Sequence, residues 1–353
     1  MRIGLLIYGD INTISGGYLY DRKLVQFLRQ NGDEVTVISL KKPSYFKALL
    51  SYSIPCEINN IKLDVLIQDQ LVHPSFWLVN KKLKKILECP IVSLVHLFNS
   101  ARPVGIYKKM VYKIVEKYYL NTVDALIVNS KDTLNQANNM LSKKLLPYVI
   151  ALPCGDNFSV VEKNYKDYNK EKLKIIFVGN ISQQKGLHIL LKAIHIVDKK
   201  ITLSVIGRED IELRYINNIK KYIAINKLES RIKFHGLLSG ENLKEQYLRH
   251  DVFVLPSVNE AYGIVFLEAM QFGLPVIGYN LGGAKEIIED GVNGYLIDSE
   301  DHKRLAEIIT LLDSDRKLFK KMSEVAQDKY SKHPTWDESN NKIRVFLQSL
   351  IRA

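Results

Sequence analysis

Cysteine is scarce in this chain: Cys56, Cys89 and Cys154 are the only three in 353 residues. They are odd in number and lack metal-ligand spacing, which excludes a disulfide framework and leaves buried, reduced thiols as the expectation. Long apolar runs are missing too, and none approaches the ~20 residues of a membrane helix. The opening MRIGLLIYGD is too short, and too acidic at its end, for a secretory signal. A cytoplasmic protein, or one on the inner membrane face, is therefore expected. There is no zinc-finger spacing and no RNP-type aromatic motif, so nucleic acid is not an expected partner; a full GxGxxG dinucleotide fingerprint is missing as well. No internal repeat is visible beyond two similar α/β halves.

What is present is a basic, otherwise ordinary globular composition. The formal charge is +12, with 46% hydrophobic and 25% charged residues. The length suffices for two domains with sizeable cores. The charge is uneven: residues 81–120 hold nine Lys and Arg against Glu88 and Glu116. Within them, 105–121 (GIYKKMVYKIVEKYYLN) reads as an amphipathic helix with Ile106, Met110, Ile114 and Val115 on one side. Lysines and tyrosines occupy the others. Such a helix is either a solvated face on a packed element or a dock for an anionic membrane surface.

The order of elements reads as α/β throughout. Residues 2–8 (RIGLLIY) form a buried strand, Gly16-Gly17 opens a helix that Gly32 ends, and 34–40 is the next strand. A Gly-Gly pair at this point is a simple turn or a phosphate-facing loop, and spacing does not decide which. Further strands are expected at 63–68, 91–96, 124–129 and 148–152. His96 lies at a strand's carboxyl end, where chemistry in doubly wound sheets occurs, although such a residue also serves as an edge histidine bonded to backbone. The polar, aperiodic stretch from about 157 is the expected linker, with a boundary near 170. Strands at 174–179, 202–206 and 232–236 open the second half. Lys185 stands at the N-terminal edge of a helix over 187–197, a natural place for a phosphate counter-ion.

The densest constellation is 251–298. Val252 to Leu255 reads as a buried strand, followed by a turn carrying Glu260 and a helix from Gly263 bearing Glu268. A second strand follows Pro275, and Gly282-Gly283 leads into a short helix over 284–289. Both loops feed helix N-termini on the ligand-binding edge of a parallel sheet. Spacing alone leaves the two acids open as hydroxyl-binding groups or as an ordinary helix-start acid and a solvated one.

In register, Glu260, Tyr262-Gly263, Glu268, Ala269-Met270, Gly273, Pro275 and Gly282-Gly283-Ala284 with Glu286 resemble the donor site of the family 4 retaining glycosyltransferases. The resemblance covers most of the chain and is closest over 174–300. It implies the GT-B fold: two Rossmann-like doubly wound domains facing across a cleft. The expected divisions are an acceptor-binding domain (1–170), a nucleotide-sugar-binding domain (171–335) and a helix returning to the first (336–353). The implied reaction moves a hexose from a nucleotide-diphosphate sugar to an acceptor hydroxyl with retention, on a lipid-linked or cell-surface glycan. No metal or other cofactor is implied.

The same resemblance assigns Gly16, Gly17, Tyr262, Gly263, Ile264, Gly282, Gly283 and Lys185 to the donor, Glu268 to ribose hydroxyls and Glu260 to sugar hydroxyls near the reacting carbon. It places His96 close to the reacting sugar and makes His235 a candidate beside the nucleobase loop, where packing is an equal alternative. The family's turn Pro-Asn-Gly is here Pro153-Cys154-Gly155. Its Arg partner of Lys185 is here Asn180, which can still donate a neutral bond to the donor, or Arg208 on the same edge reaches in. The missing cation leaves open a non-catalytic nucleotide-sugar-binding subunit. A sugar-nucleotide epimerase is the third reading, and the spacing of the two acids argues against it.

Overall fold

The computed structural model describes residues 1–353 except 14, 51–53, 59–60, 103, 142–144, 159–172, 259 and 353. The described chain divides into two compact units. One comprises Met1–Pro153 with Pro334–Ala353, and the other Cys154–His333. The linker and boundary expected near 170 lie almost wholly outside the described residues.

The first unit is a six-stranded parallel sheet ordered β2-β1-β3-β4-β5-β6. Its strands are β1 (Arg2–Tyr8), β2 (Glu34–Leu40), β3 (Val65–Asp69), β4 (Ile91–Val95), β5 (Ala125–Val128) and β6 (Tyr148–Ile150). β3 and β4 are buried at every position, as strands covered on both faces require. β2, at the edge, buries only Val35 and Ile38. Sequence and structure agree on these strands to within a residue or two at most ends. Helix Trp336–Arg352 belongs to this unit: Arg344 Nε donates to Asp33 Oδ2 at 2.6 Å, and the N-terminal amine reaches Asp33 Oδ1 at 2.9 Å. Trp336 is buried edge-on to Tyr20, with ring centroids 5.5 Å apart.

The second unit repeats the plan with β7 (Lys174–Val178), β8 (Thr202–Ile206), β9 (Ile232–Phe234), β10 (Val252–Leu255), β11 (Val276–Tyr279) and β12 (Gly294–Ile297). Their order is β12-β11-β10-β7-β8-β9. Helices Leu213–Ile225 and Gly240–Arg249 and strand β12 fill stretches to which the sequence reading assigns no element. In the first of these, Ile216, Ile219 and Ile223 form the buried stripe.

Each sheet has one point where strand order reverses, the place at whose carboxyl edge doubly wound sheets bind ligands. In the first sheet it lies between β1 and β3, in the second between β7 and β10. The thiol expectation is corrected: Cys154 is buried, but Cys89 is half-buried and Cys56 exposed.

Candidate active site

The switch point of the second sheet brings Lys185 and Glu260 together. Lys185 closes the loop after β7, and Glu260 sits in the loop after β10. The ammonium donates to Glu260 Oε1 with both side chains mostly buried. The two loops also meet through backbone, Val258 N donating to Gln184 O at 3.0 Å. Gly186, in the left-handed region at φ +71°, permits this approach, because a Cβ there would stand 2.0 Å from the carbonyl oxygen of Pro256.

The turn at Gly282-Gly283 packs on the Glu260 loop. Gly283 N donates to Glu260 O at 3.1 Å, and a Cβ on Gly283 would fall 2.3 Å from Tyr262 Cα. Gly263 (φ +94°) caps helix Ile264–Gln271 and leaves its first N–H groups without a side-chain cap. Ile264 begins that helix. Tyr262 is buried, and its hydroxyl shares a 2.8 Å hydrogen bond with His333 Nε2.

Glu268 is buried, which removes the solvated alternative. Oε1 accepts from Asn157 Nδ2 at 2.7 Å and Oε2 from the Tyr247 hydroxyl at 3.1 Å. Burial pushes its pKa up to about 7, against the opposing pull of those two bonds. The motif Pro153-Cys154-Gly155 explains part of this placement. A Cβ at Gly155 would come within 2.7 Å of Leu267 Cβ, so the glycine lets the strand exit pass beneath the helix and bring Asn157 to Glu268.

Arg208 lies on the same edge, but its guanidinium is exposed and forked onto Asp210 at 3.0 and 2.7 Å. Asn180 sits at the loop's start, beside Gly207, whose Cβ position is 1.9 Å from Gly179 O. His235 is half-buried with Nε2 3.1 Å from Ser204 Oγ, an internal partner.

In the first unit, Ser15 caps helix Gly16–Gln30 by accepting from Tyr18 N at 3.4 Å. His96, just past β4, lies over that helix start: a Cβ on Gly17 would be 3.4 Å from His96 Cδ2. His96 Nε2 is 3.1 Å from Oδ1 of the fully buried Asp21, and the ligating atoms of Asp21, Asp69 and His96 all lie within 4.8 Å of one another. Burial lowers the imidazole's pKa, but the Asp21 hydrogen bond and the negative charge of the carboxyl pair outweigh it and leave it raised. Sequence reasoning passed over Asp21 and Asp69, which read as an ordinary helix acid and a strand-end acid.

A separate cavity of about 310 Å³ lies past β1 and β2, lined by Tyr8, Leu40, Lys41, Lys47, Ser75 and Phe76 among others. The triplet Asp313-Ser314-Asp315 has a spacing that elsewhere holds metals. Here Asp315 caps a helix at Leu318 N and Asp313 pairs with Arg316, so its role is structural.

Residues 161–329 match the family model of glycosyl transferases group 1. An uncharacterized 41.2 kDa protein in the cps region of Klebsiella pneumoniae is 29% identical over 67% of this chain and 63% of its own length. An uncharacterized glycosyltransferase of Methanocaldococcus jannaschii is 26% identical over an alignment covering 100% of both chains. The crystal structure of the Anabaena protein HepE with UDP and glucose superposes with a TM-score of 0.77 at 20% identity, over 99% of this chain and 100% of that one. The structural likeness shows a two-domain GT-B fold, and the sequence matches support a place for this chain in the glycosyltransferase superfamily.

Proposed function

We propose that the protein is a family 4 retaining glycosyltransferase that moves a hexose from a nucleotide-diphosphate sugar to an acceptor hydroxyl without a metal ion. The observation that carries the reading is the Lys185–Glu260 pair at the switch point, set among loops whose glycines leave backbone N–H groups open. A diphosphate takes the ammonium and the N–H groups at Gly263-Ile264 and Gly282. Glu260, released from Lys185, takes sugar hydroxyls, and Glu268 takes the ribose. The bond from the anomeric carbon to the phosphate oxygen breaks as the bond to the acceptor oxygen forms on the same face. The acceptor's proton passes to the departing phosphate. HepE, of like fold, was crystallised with UDP and glucose, which makes a uridine diphosphate sugar the first donor to try.

The acceptor is proposed to be a lipid-linked or cell-surface glycan presented at an anionic membrane. Supporting this, helix Ile106–Leu120 turns the apolar residues Ile106, Tyr107, Met110, Ile114 and Tyr118 to solvent among exposed Lys108, Lys109, Lys113 and Lys117. Ile106 and Tyr107 are 70% and 83% exposed, more than a packed helix leaves open. No described helix is long and apolar enough to cross a membrane. The cavity lined by Lys41 and Lys47 lies in the same unit and suits an anionic acceptor group.

The test is sugar transfer to total lipid extract from a panel of nucleotide sugars, read by mass spectrometry for product and by NMR for anomeric configuration, with chelator present. Product of inverted configuration, or metal-dependent turnover, overturns the corresponding part. A non-catalytic binding subunit is favoured by one observation, that the neutral Asn180 stands at the start of the loop that carries Lys185. Calorimetric binding of a nucleoside diphosphate without turnover of any sugar would select it.

A further inference from the structure

Asp21 and Asp69 are two carboxyl groups with almost no contact with water, and their oxygens face each other beside His96. Asp21 Oδ1 is engaged by His96 Nε2. Asp21 Oδ2 is buried and receives no donor from any described N–H or hydroxyl. Asp69 Oδ1 is held by Leu71 N at 2.8 Å. A buried acceptor without a donor costs ~1–3 kcal/mol, and two buried like charges at this range repel strongly. A proton on Asp69 removes both penalties, since its O–H becomes the donor that Oδ2 lacks.

We propose that Asp21 and Asp69 hold one proton between them and that Asp21, kept anionic, positions His96 as a charged hydrogen-bond donor toward substrate. The ring is fixed on its other sides: Asn129 Nδ2 holds the His96 carbonyl at 2.9 Å, Gly17 lies beneath the ring and Tyr20 stands edge-on at 5.1 Å. With Nε2 engaged by Asp21, Nδ1 is the nitrogen left for a sugar or phosphate oxygen. The protonated cluster is then neutral: one imidazolium, one carboxylate, one carboxylic acid. The other titratable groups that sense it are Tyr18 on the helix of Asp21, Tyr119 on helix Ile106–Leu120, and the effect of Asp10 near Tyr18. None of these supplies a positive charge, so the cluster's cation is His96. Burial foremost, then the charge of Asp21, raises the Asp69 pKa in the same sense. Asp21 and Asp69 act here as positioning residues, and the substrate-facing half of the inference rests on the glycosyl-transfer reading.

The experiment uses the full chain labelled with ¹⁵N at histidine, with tautomer and protonation of His96 followed by long-range ¹H–¹⁵N spectra from acid to alkaline pH. In the wild type, Nε2 is expected to stay protonated throughout. Asp69→Asn, which mimics the protonated acid, is expected to leave the His96 titration in place. Loss of a full negative charge would instead lower it, and that result overturns the shared proton. Asp21→Asn is expected to lower the titration by about one pH unit, equivalent to a tenfold loss of imidazolium on the alkaline side. Transfer by Asp21→Asn should then fall on the order of tenfold at neutral pH and recover toward acid, while KM for the acceptor stays unchanged. A flat loss at every pH would overturn the positioning role. Broadening of the His96 signals by added Mn²⁺ would show a cation in place of the proton and overturn the proposal too. If the wild type moves no sugar while His96 behaves as stated, the transfer reading fails and the shared proton stands. If Asp21→Asn does not fold, the wild-type tautomer and Asp69→Asn still decide.

Discussion

The ammonium of Lys185 is bound to the carboxylate of Glu260, and the two residues reach each other from the loops on either side of the strand-order reversal in the second sheet. Neither loop has another opposite charge as close to this point among the described ion pairs. On the proposed function, a donor diphosphate that takes the lysine frees the acid for the sugar, and the two residues act as a unit. Lys185→Ala is expected to lower kcat/KM by roughly 10- to 150-fold, the loss of a charge-assisted hydrogen bond of ~1.5–3 kcal/mol. In a double-mutant cycle, adding Glu260→Ala should cost less than it does alone. Strict additivity would show that the pair is not shared with the donor.

Glu268 ties stability to pH. Its pKa rises on folding from 4.5 to about 7, with burial as the leading cause. The folded state thus binds the proton more tightly than the unfolded chain does. Its contribution is intact below pH ~4.5, is lost as pH rises through ~7, and amounts to on the order of 3 kcal/mol. Glu268→Gln cannot ionise. Urea denaturation at a series of pH values should therefore show the variant gaining on the wild type between mildly acid and mildly alkaline solution. A constant difference would mean that the buried carboxyl ionises freely.

Gly283 is required for space rather than for backbone freedom. Its φ is −64°, an ordinary value, but a Cβ would meet the Tyr262 backbone at 2.3 and 2.6 Å and the Ala261 carbonyl at 2.7 Å. Gly283→Ala is expected to cost ~1–3 kcal/mol, a drop of several degrees in Tm, and to displace the Glu260 loop enough to lower turnover. Gly105→Ala is the control, with φ −56° and nothing within 4 Å of the added carbon. It should stay within ~0.5 kcal/mol of the wild type.

The outward stripe of helix Ile106–Leu120 predicts sedimentation with vesicles rich in anionic lipid and little with neutral ones. Replacing Lys108, Lys109 and Lys113 together by Gln should weaken binding about a hundredfold, at ~1 kcal/mol per basic residue. Raising salt to ~0.5 M should weaken the wild type in the same way. Ile114→Ser should reduce the salt-resistant part. Equal binding to neutral and anionic vesicles would dismiss the surface.

Helix Ile106–Leu120 also marks where reading from sequence stops. Its period and charge were legible, and so was the stripe Ile106, Met110 and Ile114. Which way the stripe faces was not, because the packed face is set by Val115, Glu116, Tyr119 and Leu120 against neighbours far along the chain. Glu116 in particular reads as a surface acid. In the fold it is buried, accepting from Asn99 N at 2.5 Å and Ser100 Oγ at 2.6 Å. The strands were legible because doubly covered parallel strands are continuous apolar runs, as in β1, β4 and β10. Helix Gly240–Arg249 went unread because it buries little besides Tyr247.

The amino-acid sequence by itself determined the alternation of strands and helices, the glycines at the strand exits, and the positions of Lys185, Glu260 and Glu268 on one edge. These follow from local periodicity and from spacing along a single loop–helix unit. It took the folded sheets to bring Lys185 to Glu260 across 75 residues, to seal Glu268 under Asn157 and Tyr247, and to stand His96 on Asp21 and Asp69. Side chains so far apart along the chain become neighbours through strand order, and strand order is a property of the whole sheet that no local run of residues encodes.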